Sequence, residues 1–384
     1  MKPELCRWNT DRRMFLKMTT GSAITAMLQG PSAIAEPGVL PQAAESNRQN
    51  ATIKATRVII DTDPGVDDAF ALMLALRSPE LRVEAVTAVA GNLPLDITLP
   101  NALRLVEICD RPDIPVAGGA SAPLIRQLVT AAYAHGENGL GGVELPKPKI
   151  TQVKEHATDL ICRIVSQYPG EVTLIGLGPL TNLALAFRTD PNLAKLVRSI
   201  VLMGGSLSGG NVTPAAEFNF YVDPEAASMV FNSGIPITMV GLDVTRKVGL
   251  TETHVKQLES GKNKTSQAAA AISRAIMATY RKHGQRGGPN LHDPLAVSAL
   301  IKPEILSFED YEIQIETSGR ITAGESVGWK RGPIQYSAPQ QNRNLNTSRL
   351  EDTFTANTKV ATDVRSEEFF HLLINRITGS MDNG

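Results

Sequence analysis

Four carboxylates fall within eight residues, Asp61-Thr62-Asp63-Pro64-Gly65-Val66-Asp67-Asp68, directly after the apolar run Arg57-Val58-Ile59-Ile60. Acids this crowded repel one another, and the charged state is costly unless a cation or a set of donors compensates. A hard divalent ion with oxygen ligands, Ca²⁺ or Mg²⁺, suits such a group better than zinc. The loop is not an EF-hand, since counting from Asp61 puts Val66 and Leu72 where Gly and Glu are required. Helix capping accounts for one or two acids, not four. Other polar residues recur after apolar runs: Gly91-Asn92, Gly176-Leu177-Gly178-Pro179-Leu180-Thr181-Asn182, Met203-Gly204-Gly205, Asn211, Glu217-Phe218-Asn219 and His292-Asp293-Pro294. Taken singly, each reads as a turn or a structural pair. The glycine runs lack the GxGxxG spacing and later acid of a dinucleotide site, but glycine does let a ligand approach the backbone closely.

These residues need elements to bring them together. The run ending at Asp61 reads as a buried parallel strand. Residues 67–77 follow with helical spacing, their acids in the first turn, where the helix dipole favours negative charge. Strands are expected at 81–90, 172–175, 199–203 and 237–240. Helices are expected at 99–109, 158–168, 180–187, 224–232, 294–300 and 367–377. This alternation predicts a single α/β domain, an open, mostly parallel sheet with helices on both faces. Ligands of such sheets bind outside the carboxyl ends of the strands, where the unusual polar residues fall.

Composition narrows the function. The chain has 384 residues, 42% hydrophobic and 20% charged, an ordinary globular balance. With 38 Lys+Arg against 39 Asp+Glu, no basic field is available for nucleic acid. Cys109 and Cys162 sit in apolar helical patterns and are expected as free buried thiols. Residues 1–35 differ from the rest. Thr10-Asp11-Arg12-Arg13-Met14-Phe15-Leu16-Lys17, a modestly apolar stretch at 18–28 and Ala33-Ile34-Ala35 resemble a twin-arginine export signal. The stretch is too short to span a bilayer, and no Cys follows the cleavage site to carry a lipid. The expectation is a bacterial protein exported folded, by the twin-arginine machinery, to the periplasm or cell exterior, with no stable membrane anchor. Residues 36–56 read as a linker, 57–384 as the working domain, and 333–352 as an inserted polar loop.

Together the motifs DTDPGVDD, LGPLTN, MGG, AEFN and HDP, in this order, resemble the nucleoside hydrolase family, the inosine-uridine-preferring N-ribohydrolases. The resemblance runs from Arg57 to about Ile377. It implies the open α/β nucleoside hydrolase fold and cleavage of ribonucleosides to ribose and free base. It further implies Ca²⁺ held by Asp63, Asp68, Asp293 and the backbone carbonyl of Leu177. Asp67, Asn92, Asn211, Glu217 and Asn219 would bind ribose hydroxyls, with Met203 beside the sugar. Residues 133–142 look like the family's mobile loop, so that His135 would reach the base, with Tyr280 and His283 as further base contacts. Relatives form dimers or tetramers, which implies a homo-oligomer.

The chemistry agrees with this resemblance. Cleaving a ribosyl C–N bond passes through an oxocarbenium-like state. A Ca²⁺-activated water with Asp63 as general base would supply the nucleophile, and His292 would protonate the departing base. Two other readings remain open here. One is a non-catalytic periplasmic nucleoside- or sugar-binding protein. The other is a haloacid-dehalogenase-like phosphatase, which also opens on a strand ending in DxD, although Pro64-Gly65, Asp67-Asp68 and the missing phosphate-binding lysine fit it poorly.

Overall fold

A computed structural model describes residues 55–282, 284, 288–330 and 356–380. The expected export signal, the expected linker up to residue 54, the 333–352 loop and His283 lie outside the described residues. All the described residues belong to one compact unit, Ile53–Gly384.

Its centre is a nine-stranded sheet of order β3-β2-β1-β4-β5-β6-β9-β7-β8. Strand β1 (Thr56–Thr62) lies between β2 (Leu81–Ala88) and β4 (Val172–Gly176), parallel to both. Strands β5 (Ser199–Met203) and β6 (Ile237–Val240) extend the parallel array. Alternation along β1 sends Val58 and Ile60 into one apolar layer and Ile59 into the other. Helices α1 (Val66–Leu76), α2 (Leu95–Ile108), α10 (Lys264–Lys282), α11 (His292–Ile301) and α12 (Ser366–Thr378) cover the first face. Helices α4 (Ala157–Gln167), α5 (Thr181–Thr189) and α7 (Pro224–Phe231) cover the second. Five further elements are α3 (Ala132–His135), α6 (Phe218–Val222), α8 (Leu242–Thr245), α9 (Glu252–Ser260) and β3 (Val116–Gly118).

The expected parallel units fall within a few residues of their predicted bounds. One helix differs more: α2 begins at Leu95, not Leu99, with Pro100 inside it. Proline suggests a helix start, but Thr98 Oγ1 donates to the Val89 carbonyl at 2.9 Å and ties a further turn to the end of β2. Four strands were not expected, β3 and three at the opposite end of the sheet. β7 (Leu306–Ile315) runs antiparallel to both β8 (Ser326–Trp329) and β9 (Thr358–Val364), and β9 joins β6 in parallel. Their sequences mix charged and apolar residues because this sheet edge is partly exposed. Cys109 is buried and Cys162 half-buried, both as free thiols.

Helix α1 decides the electrostatics of the molecule. All eleven of its residues are buried, Asp67 and Asp68 included. The first turn therefore carries carboxylates into the interior at the carboxyl end of the central strand.

Candidate active site

Asp68 is the third residue of α1 and caps it, its Oδ2 accepting the Gly65 backbone N–H at 3.0 Å. It also accepts the Thr62 hydroxyl, the Asn92 side-chain amide at 3.0 Å and the Asp63 N–H at 3.3 Å. Asp63 is fully buried, and its Oδ2 accepts the Asn92 backbone N–H at 2.6 Å. Its Oδ1 has no hydrogen-bond partner among the described residues. Two glycines make room for this carboxylate. A Cβ at Gly91 would stand 2.1 Å from Asp63 Oδ2, and one at Gly178 would stand 2.6 Å from Oδ1. Ligand oxygens of Asp67, Asp68 and Asp293 lie within 4.8 Å of one another.

Burial pushes the Asp63 and Asp293 carboxyls well above the usual range, and the neighbouring acids push them further. Burial likewise raises Asp68, with Asp67 adding to the shift. Among the described residues no Lys or Arg ion pair reaches this group. His135 places Nδ1 3.9 Å from Asp67 Oδ1. That nitrogen accepts the Val66 backbone N–H at 3.0 Å. Buried acids without a Lys or Arg partner among the described residues, one carboxylate oxygen unpaired and several oxygen donors together fit a hard divalent cation.

Asp67 and Asp293 line a cavity of about 420 Å³. Asp67, Asn92, Leu177, Met203, Asn211, Glu217, Asn219, His135, Tyr280, His292 and Asp293, all singled out from the sequence, line it. Asp63 and Asp68 lie beneath the lining rather than in it. The three-carboxylate group within 4.8 Å is Asp67, Asp68 and Asp293; Asp63, also expected as a ligand, lies outside that group. Asp63 remains close enough to raise Asp293 electrostatically.

Supporting bonds set each wall. Glu217 caps α6 and accepts from the backbones of Asn219 at 2.9 Å, Gly205 at 3.0 Å and Phe220 at 3.2 Å, while burial pushes its carboxyl up to about 7. Asn219 donates to the Leu177 carbonyl at 2.8 Å and the Met203 carbonyl at 3.1 Å, fixing the ends of two neighbouring strands. Asn211 Oδ1 accepts the Phe218 N–H at 3.0 Å. His292, the first residue of α11, pairs Nδ1 with the Thr245 hydroxyl at 2.8 Å, and burial pulls its pKa below the ordinary range.

Several participants were missed or misplaced by sequence reasoning. Asn182 is not at the cavity. It donates to Asp61 at 2.8 Å and to the Ala88 carbonyl at 3.2 Å, and accepts the Ala120 N–H at 2.8 Å. Asp61, held also by Thr87, is a buried strut outside the cavity, with its carboxyl pushed up to about 7 by burial. A phosphatase using Asp61 and Asp63 side by side finds no support in that placement. Thr245, Tyr133, Ile276 and Asn290 were not anticipated. Only position was available as a signal, Thr245 closing the helix that follows β6 and Asn290 standing two residues before His292.

The family model described as inosine-uridine preferring nucleoside hydrolase matches residues 58–371. A pyrimidine-specific ribonucleoside hydrolase of Photobacterium profundum is 44% identical over 322 residues, 83% of this chain and 98% of that protein. The corresponding protein of Klebsiella pneumoniae is 42% identical over 84% of this chain and 98% of its own. Among solved structures, a plant nucleoside hydrolase superposes with a TM-score of 0.75 at 34% identity, covering 84% of this chain and 99% of that one. A purine-preferring ribonucleoside hydrolase from Gardnerella vaginalis gives a TM-score of 0.75 at 32% identity, covering 84% and 98%.

Proposed function

The chain belongs to the inosine-uridine preferring nucleoside hydrolase family, and from that premise we propose that it hydrolyses the N-glycosidic bond of ribonucleosides with a calcium-dependent site and Asp63 as general base. The carrying observation is the buried acid group Asp67, Asp68 and Asp293 at the cavity, with Asp63 beneath it holding one oxygen on Asn92 and the other unpartnered. Asp68 and Asp293, with Asp63 and the Leu177 carbonyl, would hold the ion. When bound, a hard divalent cation neutralises the cluster, lowers the pKa of water and orients a sugar diol.

The chain's own residues do the rest. Asp67, Asn92, Asn211, Glu217 and Asn219 offer carboxylates and amides to ribose hydroxyls and to the positive charge that develops on the ring. Asp63 accepts the proton of the attacking water on its free Oδ1. His292, its Nδ1 occupied by Thr245, presents Nε2 to the leaving base. Replacing His292 with alanine is expected to lower kcat on uridine by about 10²–10⁴-fold. p-Nitrophenyl β-D-ribofuranoside, whose leaving group needs no proton, should lose far less. Equal losses on both substrates would remove His292 from the acid role.

Pyrimidine ribonucleosides are placed first, because the 42–44% identical relatives carry that specificity in their names. The test is chromatographic detection of free base from uridine, cytidine, inosine and guanosine. Turnover of uridine or cytidine ahead of the purines is expected. Binding without turnover on all four would make this a nucleoside-binding protein instead.

A further inference from the structure

We propose that Asn290 is a specificity-determining residue that reads the hydrogen-bonding edge of the base, which rests on the nucleoside hydrolase reading of the same cavity. Four asparagines line the cavity: Asn92, Asn211, Asn219 and Asn290. The first three each spend a side-chain amide atom inside the protein, on Asp63 and Asp68, on the Phe218 N–H, and on the Leu177 and Met203 carbonyls. Asn290 alone of the four has no side-chain hydrogen bond to another described residue.

Its backbone, by contrast, is pinned. Asn290 forms an antiparallel bridge with Gly249, flanked by the bonds Leu250 N–H to Pro289 C=O at 2.8 Å and Leu291 N–H to Val248 C=O at 3.0 Å. The side chain therefore leaves a fixed point, and its donor and acceptor remain for a ligand. The position fits the base rather than the sugar. The acid group must take the sugar, and the base must then reach His292, two residues along the chain from Asn290. Tyr280 and Ile276 of α10 line the same cavity and offer apolar surface for a ring.

A carboxamide presents one donor group and one acceptor in a plane, which matches adjacent acceptor and donor atoms such as O4 and N3–H of uracil or O6 and N1–H of hypoxanthine. Rejection of ligands lacking such an edge is the stronger effect, because a site built to hydrogen-bond is left unpaired by them.

The test compares kcat/KM of wild type, Asn290→Leu and Asn290→Ala on uridine, inosine and p-nitrophenyl β-D-ribofuranoside, the last having no base edge. Both variants are expected to lose about 10–100-fold on the nucleosides, mainly through KM, and to stay within about twofold on the p-nitrophenyl riboside. Equal loss on all three substrates, or no loss on the nucleosides, overturns the proposal. Two variants of different volume guard against a packing defect, and thermal melting of each checks the fold. Wild-type cleavage of the p-nitrophenyl riboside upholds the parent reading whatever the variants do. Its absence on every substrate would overturn both.

Discussion

Asp63→Ala is expected to lower kcat on uridine by about 10³–10⁴-fold, the loss of a general base at the reacting centre. The structure makes this more than a charge deletion. Asp63 is gripped on Oδ2 by the Asn92 N–H at 2.6 Å, and a Cβ at Gly91 or Gly178 would collide with its carboxylate. Asp63→Asn separates chemistry from architecture. The amide oxygen can still accept the Asn92 hydrogen bond, but the group no longer takes a proton. Because Asp63 is buried among acids that raise its pKa, the neutral amide removes an electrostatic cost in the ion-free protein. Its melting temperature should hold or rise while kcat falls nearly as far as in Asp63→Ala. A kcat within tenfold of wild type for Asp63→Asn would take Asp63 out of the proton-transfer role.

The second large effect is on stability and its pH dependence. Asp61 and Glu217 are pushed up to about 7, and Asp63, Asp68 and Asp293 are raised by burial and mutual repulsion. An acid whose folded pKa is raised favours the fold while protonated. That contribution is complete below the unfolded carboxylate value near 4 and is lost as pH climbs through the folded values. Ion-free protein should therefore melt lower at pH 8 than at pH 5.5. Calcium binds the ionised carboxylates, competes with their protons and reverses the trend. At a hundredfold excess over Kd the gain is about 2.7 kcal/mol, a rise in Tm of about 5 °C for a domain of this size. The calcium-induced rise should be clearly larger at pH 8 than at pH 5.5. A rise independent of pH, or none, would contradict the assignment of the acid cluster as the ion site.

Much of this arrangement was legible in advance, for physical reasons. A parallel strand buried on both faces must be uniformly apolar, so β1, β4, β5 and β6 stand out, and polar residues at their ends need an explanation beyond solvent. Asp67 and Asp68 were conspicuous for another reason, as two of four carboxylates crowded into eight residues after an apolar run. The strands β7, β8 and β9 were hidden because an antiparallel, partly exposed edge tolerates charge at most positions. Within the site, the missed residues act through tertiary contacts that leave no local pattern. Thr245 matters only because α8 brings it to 2.8 Å from His292. Asn182 lies in a conspicuous motif yet works behind the cavity, holding Asp61. The division of labour among the acids was also illegible, since spacing along the loop does not say that Asp67 faces the cavity and Asp63 lies under it.

One titration addresses the central claim most directly. Protein stripped with chelator and dialysed is supplied with increasing Ca²⁺ while release of uracil from uridine is followed alongside ion binding. The stripped protein is expected to show no turnover and to recover fully as one ion binds per chain, with Asp293→Asn recovering neither binding nor rate. Turnover unaffected by chelation, or an ion that binds with this stoichiometry and restores no base release, would contradict the claim.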